Sequence, residues 1–339
     1  MTRSSKRAIA PVLIAAALVA LLAGCGSSGS SATTTTSASG APVASAQGVP
    51  RLGHVFVIVG ENTSLSQITP AHAPYLANTL KPRAAWLANY HSLRHTASLG
   101  DYVGMTSGQF TKCEANDALP IHCHQTVPNL FSQLDRVQIP WEAWNESADN
   151  ACDFVDHGAA WAKNTFSAHH QPAIYYTNVE GGKYDESITP TPECLHRDLA
   201  MGSTGPNDTA AFDQAVAAGS VGDFNLVIPN DCENGHDPCG THDPVKQFDD
   251  FLAREVPKIE ASPAFGSNGL ILITWDEGAD PPLNPTHPLA LAIGPQVQPG
   301  VYGSQRFDHY GLLRTIEDGY GLSHLAAAKQ AHSISGIWR

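Results

Sequence analysis

Short apolar runs alternate with helical segments from residue 54 onward, a pattern typical of an α/β chain. The runs at residues 54–59, 224–228 and 270–274 are rich in β-branched residues and resemble buried central strands. A fourth run, residues 289–293, is followed by Gly294 and Pro295. The pattern predicts a mainly parallel central sheet sandwiched between helices.

Polar side chains follow each of the first three predicted strands. Glu61 and Asn62 follow the first, the acidic stretch 230–237 follows the second, and Asp276 and Glu277 follow the third. Ligands of open α/β sheets bind beyond the carboxyl ends of the strands. Acids and glycines also mark ordinary turns, but their coincidence at three strand ends predicts a site for a divalent cation.

A candidate nucleophile lies in the segment 95–108. From Ser98 the sequence predicts a short helix that ends at Gly108. Unpaired N–H groups at a helix N-terminus bind phosphate, and an adjacent metal ion lowers the pKa of a hydroxyl. Ser98 is therefore a candidate nucleophile, and the alternative is a helix cap without chemistry.

The N-terminus has the features of an export signal over residues 1–24. Basic residues precede an apolar run at residues 8–23, which is too short for a membrane-spanning helix. The run ends in Leu-Ala-Gly-Cys25, which resembles a bacterial lipobox and implies cleavage before Cys25 and lipid attachment to its thiol. The alternative is an ordinary signal peptide with an incidental cysteine.

Composition predicts the domain boundaries. Residues 25–49 are almost entirely Ser, Thr, Ala and Gly, which predicts a flexible linker. We expect a single folded domain over residues 50–339. Within it, residues 113–194 are rich in Trp, His and loop residues, and we expect a disulfide-rich insertion that walls the active site.

Six of the seven cysteines remain once Cys25 is assigned to lipid. An even number in an exported chain suggests three disulfides, for which fifteen pairings are possible. Proximity along the chain favours the pairs Cys113 with Cys123 and Cys232 with Cys239, which leaves Cys152 with Cys194. A zinc site is the alternative, although no Cys-x-x-Cys spacing occurs.

The formal net charge of −13 limits the partners. Removal of Arg3, Lys6 and Arg7 with the signal makes the remaining chain about −16. Such a surface repels nucleic acid. An anionic substrate would need a local positive centre, which a bound divalent cation provides.

Five strings resemble, in order, the motifs of a bacterial phosphoesterase family. They are HVFVIVGEN, SLGDYVGMTSG, IPNDCENGHD, LILITWDEG and DHYGLLRTIED, and they span residues 54–318. The family includes secreted acid phosphatases, phosphatidylinositol phosphatases and type C phospholipases within the alkaline-phosphatase superfamily. The resemblance implies an alkaline-phosphatase-like fold and hydrolysis of phosphate esters.

The resemblance also implies roles for individual residues. Ser98 matches the nucleophile that forms a phosphoserine, and His236 and Asp237 match a His-Asp pair of the site. The implied metal ligands are Glu61, Asn62, Asp276 and Glu277. Oxygen ligands favour Ca²⁺, Mg²⁺ or Mn²⁺, and an added histidine would make Zn²⁺ or Fe plausible.

The segment around the nucleophile departs from the family pattern. The family string Ser-Leu-Pro-Asn-Tyr is replaced by Ser-Leu-Gly-Asp-Tyr at residues 98–102. Asp101 cannot donate a hydrogen bond to phosphate when ionised. Asp101 is therefore protonated, or binds metal, or another donor such as Arg94 or His95 replaces it. One additional residue before Ser98 makes Thr96 a minor alternative nucleophile.

Several of the sixteen histidines lie beside these motifs. Imidazole can protonate a leaving alkoxide and titrates near neutral pH. We expect His236 and His309 to be catalytic and His95, Asp101, Asp237 and His287 to bind substrate, with His242 as a weaker candidate. The remaining histidines of interest are expected to be structural or exposed: His54, His72, His122, His124, His169 and His170.

Together these features predict an exported, metal-dependent phosphomonoesterase of the acid phosphatase type. It would be a lipoprotein on the outer face of the cell membrane, or secreted, and would act on a phosphorylated small molecule or a phospholipid head group. A phospholipase C-like phosphodiesterase is the first alternative. A lipid-anchored solute-binding protein is the second, but it predicts two lobes and a hinge and does not explain the strand-end ligands. A sulfatase would need Cys-x-Pro-x-Arg, which is absent.

Overall fold

An eight-stranded sheet forms the centre of the molecule. The computed structural model describes residues 48–94, 97–158, 165–182, 188–202, 208–240, 243–279 and 285–339. The sheet has the strand order β5-β4-β6-β1-β7-β8-β2-β9, and β3 pairs with β10 in a separate two-stranded sheet. The strands are β1 Val55–Gly60, β2 Ala85–Leu87, β3 Tyr90–His91, β4 Trp141–Asn145, β5 Asp198–Ala200, β6 Phe224–Ile228, β7 Leu270–Trp275, β8 Ala290–Ile293, β9 Gly300–Tyr302 and β10 Phe307–Asp308.

The described helices cover both faces of this sheet. They are α1 Ser98–Ser107, α2 Leu130–Arg136, α3 Thr177–Glu180, α4 Pro192–Arg197, α5 Ala210–Ala218, α6 Pro244–Ala261 and α7 His309–Tyr320. Alternate residues of a strand point to opposite faces. Val57 accordingly belongs to a core with the apolar residues of α1, α2 and α7, while Ile58 belongs to a core with those of α5 and α6. The predicted mainly parallel sheet between helices is therefore confirmed.

The strands predicted from apolar runs are neighbours at the centre of the sheet. β1 runs parallel to both β6 and β7, with Val57 opposite Leu226 on one side and Leu272 on the other. β8 is antiparallel to β7, and no described helix separates the two strands. A parallel pair requires a long crossover, usually helical, so the direct return reverses the strand.

Three disulfides join Cys113 to Cys123, Cys152 to Cys194 and Cys232 to Cys239. These are the pairs that proximity along the chain favours, and they fit an exported protein. The segment 113–194 also supplies β4, which lies inside the sheet between β5 and β6. It therefore contributes to the core as well as to the surroundings of the site. Of the helices in the described ranges, none has the length and apolar character needed to cross a membrane.

Candidate active site

The carboxyl ends of β1, β6 and β7 place three acidic residues at one edge of the sheet. Gly60 pairs with Trp275 in the last register position, so Glu61 and Asp276 follow neighbouring residues. Asp231 follows β6 on the other side of β1. All three side chains are buried. Polar residues that lie far apart in the sequence thus come together, as parallel strands dictate.

Gly60 allows this edge to pack closely. A Cβ atom at residue 60 would lie 2.5 Å from Cε1 of Phe248 and 2.7 Å from Nε1 of Trp275. Both rings belong to the core beneath the site. The close packing fixes the backbone from which Glu61 extends.

Glu61 accepts hydrogen bonds from two hydroxyl groups of the site. Its Oε2 accepts a hydrogen bond from the Ser98 hydroxyl (3.3 Å), and its Oε1 accepts one from the hydroxyl of Tyr102. Burial raises the pKa of Glu61 well above its usual range, and the neighbouring carboxylate of Asp276 raises it further. Two buried carboxylates in contact repel each other, so the pair is stabilised by binding a proton or a cation.

Helix α1 presents Ser98 to Glu61. Ala97 is the N-cap residue, so Ser98 is the first helical residue and not the cap expected by default from the sequence. At the other end, Gly108 has φ +70°, a left-handed conformation that glycine adopts without strain and that ends the helix. The helix therefore has the predicted limits, with the candidate nucleophile in its first turn.

Asp117 caps the first turn of the same helix. Its Oδ1 accepts a hydrogen bond from the backbone N–H of Leu99 at 2.9 Å. Asp117 lies between Cys113 and Cys123 and was not anticipated from the sequence. A carboxylate thus occupies part of the position where a helix N-terminus would bind phosphate.

Asp276 has an oxygen that no described group satisfies. Its Oδ1 accepts a hydrogen bond from the backbone N–H of Asn62 (3.2 Å), whereas its buried Oδ2 has no hydrogen-bond partner among the described residues. Asn62 makes this contact in a left-handed conformation, with φ +46°. A buried carboxylate oxygen of this kind fits a cation, because it would otherwise carry an uncompensated desolvation cost.

Glu277 lies beside this pair. Burial raises its pKa to about 7, and the charges of Asp276 and Asp117 also raise it. The predicted ligand set is therefore rich in negative charge and poor in counterions, which suits a divalent cation. Among the described residues, one group of three acidic or imidazole side chains has its donor atoms within 4.8 Å of one another, and that group lies elsewhere in the molecule. The four predicted ligands therefore do not form a closed coordination shell.

His309 contacts the backbone of Asp276. Its ring is fully buried, with Nε2 at 2.5 Å from the backbone oxygen of Asp276 and Nδ1 at 2.8 Å from the hydroxyl of Tyr90. Burial lowers the pKa of His309, which favours the neutral ring that donates through Nε2. This arrangement favours a positioning role over the catalytic role predicted from the sequence.

Asp101 points into the protein. Its Oδ1 accepts the backbone N–H of Leu93 (2.7 Å) and lies 3.5 Å from Nε2 of His309. Burial raises the pKa of Asp101 well above its usual range, and the charge of Asp276 adds to the effect. Of the explanations considered for the Asp-for-Asn replacement, these facts favour a protonated Asp101.

His170 is a site residue that sequence analysis missed. The sequence predicts a structural or exposed histidine here, but the ring is buried, with Nε2 3.5 Å from Oε1 of Glu61 and Nδ1 3.1 Å from Oδ1 of Asp231. Burial opposes its charged form, yet the contact with Asp231 outweighs this and raises the pKa of His170. The contact also lowers the pKa of Asp231, so each group of the pair favours the charged form of the other. No local pattern distinguishes His170, since long-range folding brings it to the site.

His236 and Asp237 lie at the mouth of the site. Nδ1 of His236 is 2.9 Å from Oδ1 of Asp237, and 40% of the His236 side chain is exposed. The His236 ring centroid is 5.9 Å from that of His170. An exposed imidazole oriented by a carboxylate is suited to proton transfer.

His287 lies against Ala88 and His91, the residues that follow β2 and end β3. Its Nε2 is 3.0 Å from the backbone oxygen of Ala88, and its ring stacks on that of His91 with centroids 4.7 Å apart. Burial lowers the pKa of His91 to about 4, and the charges of Arg306 and His287 also lower it. The stacked pair of His91 and His287 therefore contains at least one neutral imidazole at physiological pH.

Other predicted residues lie outside the described ranges. They are Cys25, His95, Thr96 and His242.

The fold defines the class of protein. A protein in the alkaline phosphatase superfamily from Vibrio parahaemolyticus has a TM-score of 0.52 at 12% identity, with 84% of this chain and 72% of that chain covered. The lipoteichoic acid synthase LtaP from Listeria monocytogenes has a TM-score of 0.53 at 10% identity, with coverages of 81% and 74%. The protein has the fold of the alkaline phosphatase superfamily.

The family follows from the sequence. The model of the phosphoesterase family matches residues 53–323, and the chain belongs to that family. The phosphatidylinositol-3-phosphatase of Mycobacterium tuberculosis is 26% identical over 301 residues, which cover 87% of this chain and 85% of the relative. The protein is thus a hydrolase that acts on phosphate esters.

Proposed function

We propose that this protein is a metal-dependent phosphomonoesterase that acts through a phosphoserine at Ser98. The observation that carries the proposal is the contact of the Ser98 hydroxyl with Glu61, beside the unsatisfied oxygen of Asp276. A monoester is favoured because the M. tuberculosis relative is named as a phosphatidylinositol phosphatase. The substrate would be a phosphorylated small molecule or a phospholipid head group.

A divalent cation fits the strand-end acids. It would neutralise the phosphoryl charge and lower the pKa of the Ser98 hydroxyl. Oxygen ligands suit Mg²⁺, Ca²⁺ or Mn²⁺, while the nearby imidazole of His170 makes Zn²⁺ or Fe plausible. The residues that would hold it are Glu61, Asn62, Asp276 and Glu277.

In the first step, Oγ of Ser98 would form a bond to phosphorus as the bond to the alcohol oxygen breaks. Glu61 orients the hydroxyl and would accept its proton, while the protonated ring of His236 would give its proton to the leaving alkoxide. In the second step, water would attack the phosphoserine, with His236 taking a proton from that water and Glu61 returning its proton to Oγ of Ser98 as the bond to phosphorus breaks. The products would be free alcohol and inorganic phosphate, with Ser98 regenerated.

The experiment compares hydrolysis of p-nitrophenyl phosphate and p-nitrophenyl phosphocholine at pH 5 and pH 8, with and without chelator. We expect the monoester to be preferred over the diester, and higher activity at pH 5 than at pH 8 would support the acid phosphatase type. Chelator should remove the activity and a divalent cation should restore it. Preference for the diester would move the protein to the phospholipase C type.

Variants test the nucleophile. Ser98→Ala should lower kcat by at least about 10³-fold. Ser107→Ala is the matched control, because it removes another buried hydroxyl from α1, at the far end from the site. Mass spectrometry of acid-quenched protein should find phosphate on the peptide that contains Ser98. Wild-type activity in Ser98→Ala, or no hydrolysis with any cation, would refute the proposal.

We also propose that the protein is exported and attached to the outer face of the cell membrane through lipid on Cys25. The three disulfides support an oxidising location. Cys25→Ser should shift the protein from the membrane fraction to the soluble fraction of cells that express it. An unchanged distribution would count against lipidation.

A further inference from the structure

A second cluster of potential metal ligands lies outside the active site. Asp149, Asp153 and His157 follow β4 and flank the disulfide between Cys152 and Cys194. Each offers one donor atom, and the three atoms lie within 4.8 Å of one another. The cluster combines two carboxylates with an imidazole, so it is more than a patch of surface acids.

The ring of His157 lies between the two carboxylates. Its Nε2 is 2.7 Å from Oδ2 of Asp153, and this buried nitrogen makes no hydrogen bond of regular geometry with a described residue. The same oxygen already accepts the backbone N–H of Asp149 at 2.8 Å. Nδ1 of His157 is 3.5 Å from Oδ2 of Asp149.

A buried carboxyl lies beneath the cluster and provides independent support. Asp198 is 1% exposed, and its Oδ2 has no hydrogen-bond partner in the described ranges. Its backbone oxygen accepts the N–H of Cys152 at 3.0 Å, which places Asp198 against the turn that contains Asp153. A buried carboxyl oxygen without a described partner thus lies beside the same group of ligands.

We propose that Asp149, Asp153 and His157 bind a divalent cation, with Asp198 beneath them as an additional carboxylate. One imidazole and several carboxylates suit Zn²⁺ better than Ca²⁺, which prefers an all-oxygen site. This site is separate from the strand-end acids of the active site. Its role is structural, because the disulfide and a bound cation together fix the segment after β4.

The site also has a connection to catalysis. The backbone of His157 pairs with that of Phe166 in both directions, at 2.9 and 3.0 Å, and Oδ1 of Asp156 accepts the N–H of Ala168 at 2.9 Å. His170 follows in the same segment and contacts Glu61. A cation held by His157 therefore stabilises the segment that places His170 in the active site.

The test measures zinc stoichiometry by equilibrium dialysis and elemental analysis of the purified protein. The strand-end acids are first replaced in the double variant Glu61→Gln/Asp276→Asn, so that a cation bound there does not contribute. We expect this variant to retain one equivalent of Zn²⁺ and to lose it when His157→Ala is added. His72→Ala is the matched control, because it removes an exposed histidine that pairs with the single carboxylate of Asp243.

Folding is checked separately. Because Asp153 is buried, the second ligand variant is Asp149→Asn, whose side chain is 46% exposed. Zn²⁺ should raise the Tm of the double variant by several degrees, and this increase should disappear with either His157→Ala or Asp149→Asn. Absence of bound zinc in the folded double variant, or equal zinc binding with and without His157, would overturn the proposal.

Discussion

The buried acid Glu317 gives a prediction whose magnitude follows from the structure. It lies on α7, and its Oε1 accepts the backbone N–H of Leu325 at 2.8 Å. Burial raises the pKa of Glu317 to about 8. A carboxyl with a raised pKa binds its proton more tightly in the folded chain. Its contribution to stability is therefore complete below about pH 4.5 and is lost as the pH rises through 8.

Glu317→Gln should remove this pH dependence, because an amide does not titrate. A shift from 4.5 to about 8 corresponds to about 3 kcal/mol of stability lost by the wild type between pH 5 and pH 8. Any fixed cost of burying the amide N–H groups is the same at both pH values, so comparison between the two pH values cancels it. Relative to wild type, the variant should therefore gain about 3 kcal/mol between pH 5 and pH 8.

The assay is urea denaturation of both proteins at pH 5 and pH 8, followed by circular dichroism. Glu193→Gln is the control, because this half-exposed carboxylate pairs with Arg197 within α4. Its loss should change the free energy of unfolding by less than about 1 kcal/mol at either pH. If the stability difference between wild type and Glu317→Gln is the same at both pH values, the assignment of a raised pKa to Glu317 is wrong.

Two further variants test the site. Tyr102→Phe removes the hydroxyl that donates to Glu61 and should lower kcat/KM by about 10- to 100-fold, as expected for a buried hydrogen bond to a charged group. Tyr320→Phe, which removes a buried hydroxyl near the start of β1, should leave kcat/KM unchanged, and equal effects of the two would contradict the role of Tyr102. Asp117→Asn keeps the acceptor for Leu99 but removes a negative charge beside Ser98, so the KM for an anionic monoester should fall roughly fivefold. Steady-state kinetics at two ionic strengths measure this, and an unchanged KM at low salt would exclude electrostatic repulsion by Asp117.

The sequence predicts the centre of the fold because burial on both faces leaves a clear apolar pattern. β1, β6 and β7 are such strands, and their parallel pairing brings Glu61 near Asp276. The short strands near the sheet edges, such as β2 and β9, leave no comparable pattern. The antiparallel direction of β8 depends on its connection to β7 and not on its composition.

The contributions of the disulfide-linked segment were the least predictable part of the site. Asp117 follows a short 3-10 helix and His170 ends another, and such short segments have no α-helical or strand periodicity. Their positions depend on long-range packing and on the disulfide pattern, which six cysteines alone do not determine. The strand-end acids were predictable because the topology of the sheet fixes their location.

The strand order has a consequence for how the site comes into existence during folding. β1 is central, yet its neighbours β6 and β7 enter the chain much later, so each pairing closes a long loop. Such high contact order makes folding slow, and the strand-end acids Glu61 and Asp276 meet only when β7 has docked. Hydrolytic activity should therefore be among the last properties regained on refolding, after most helical structure has formed.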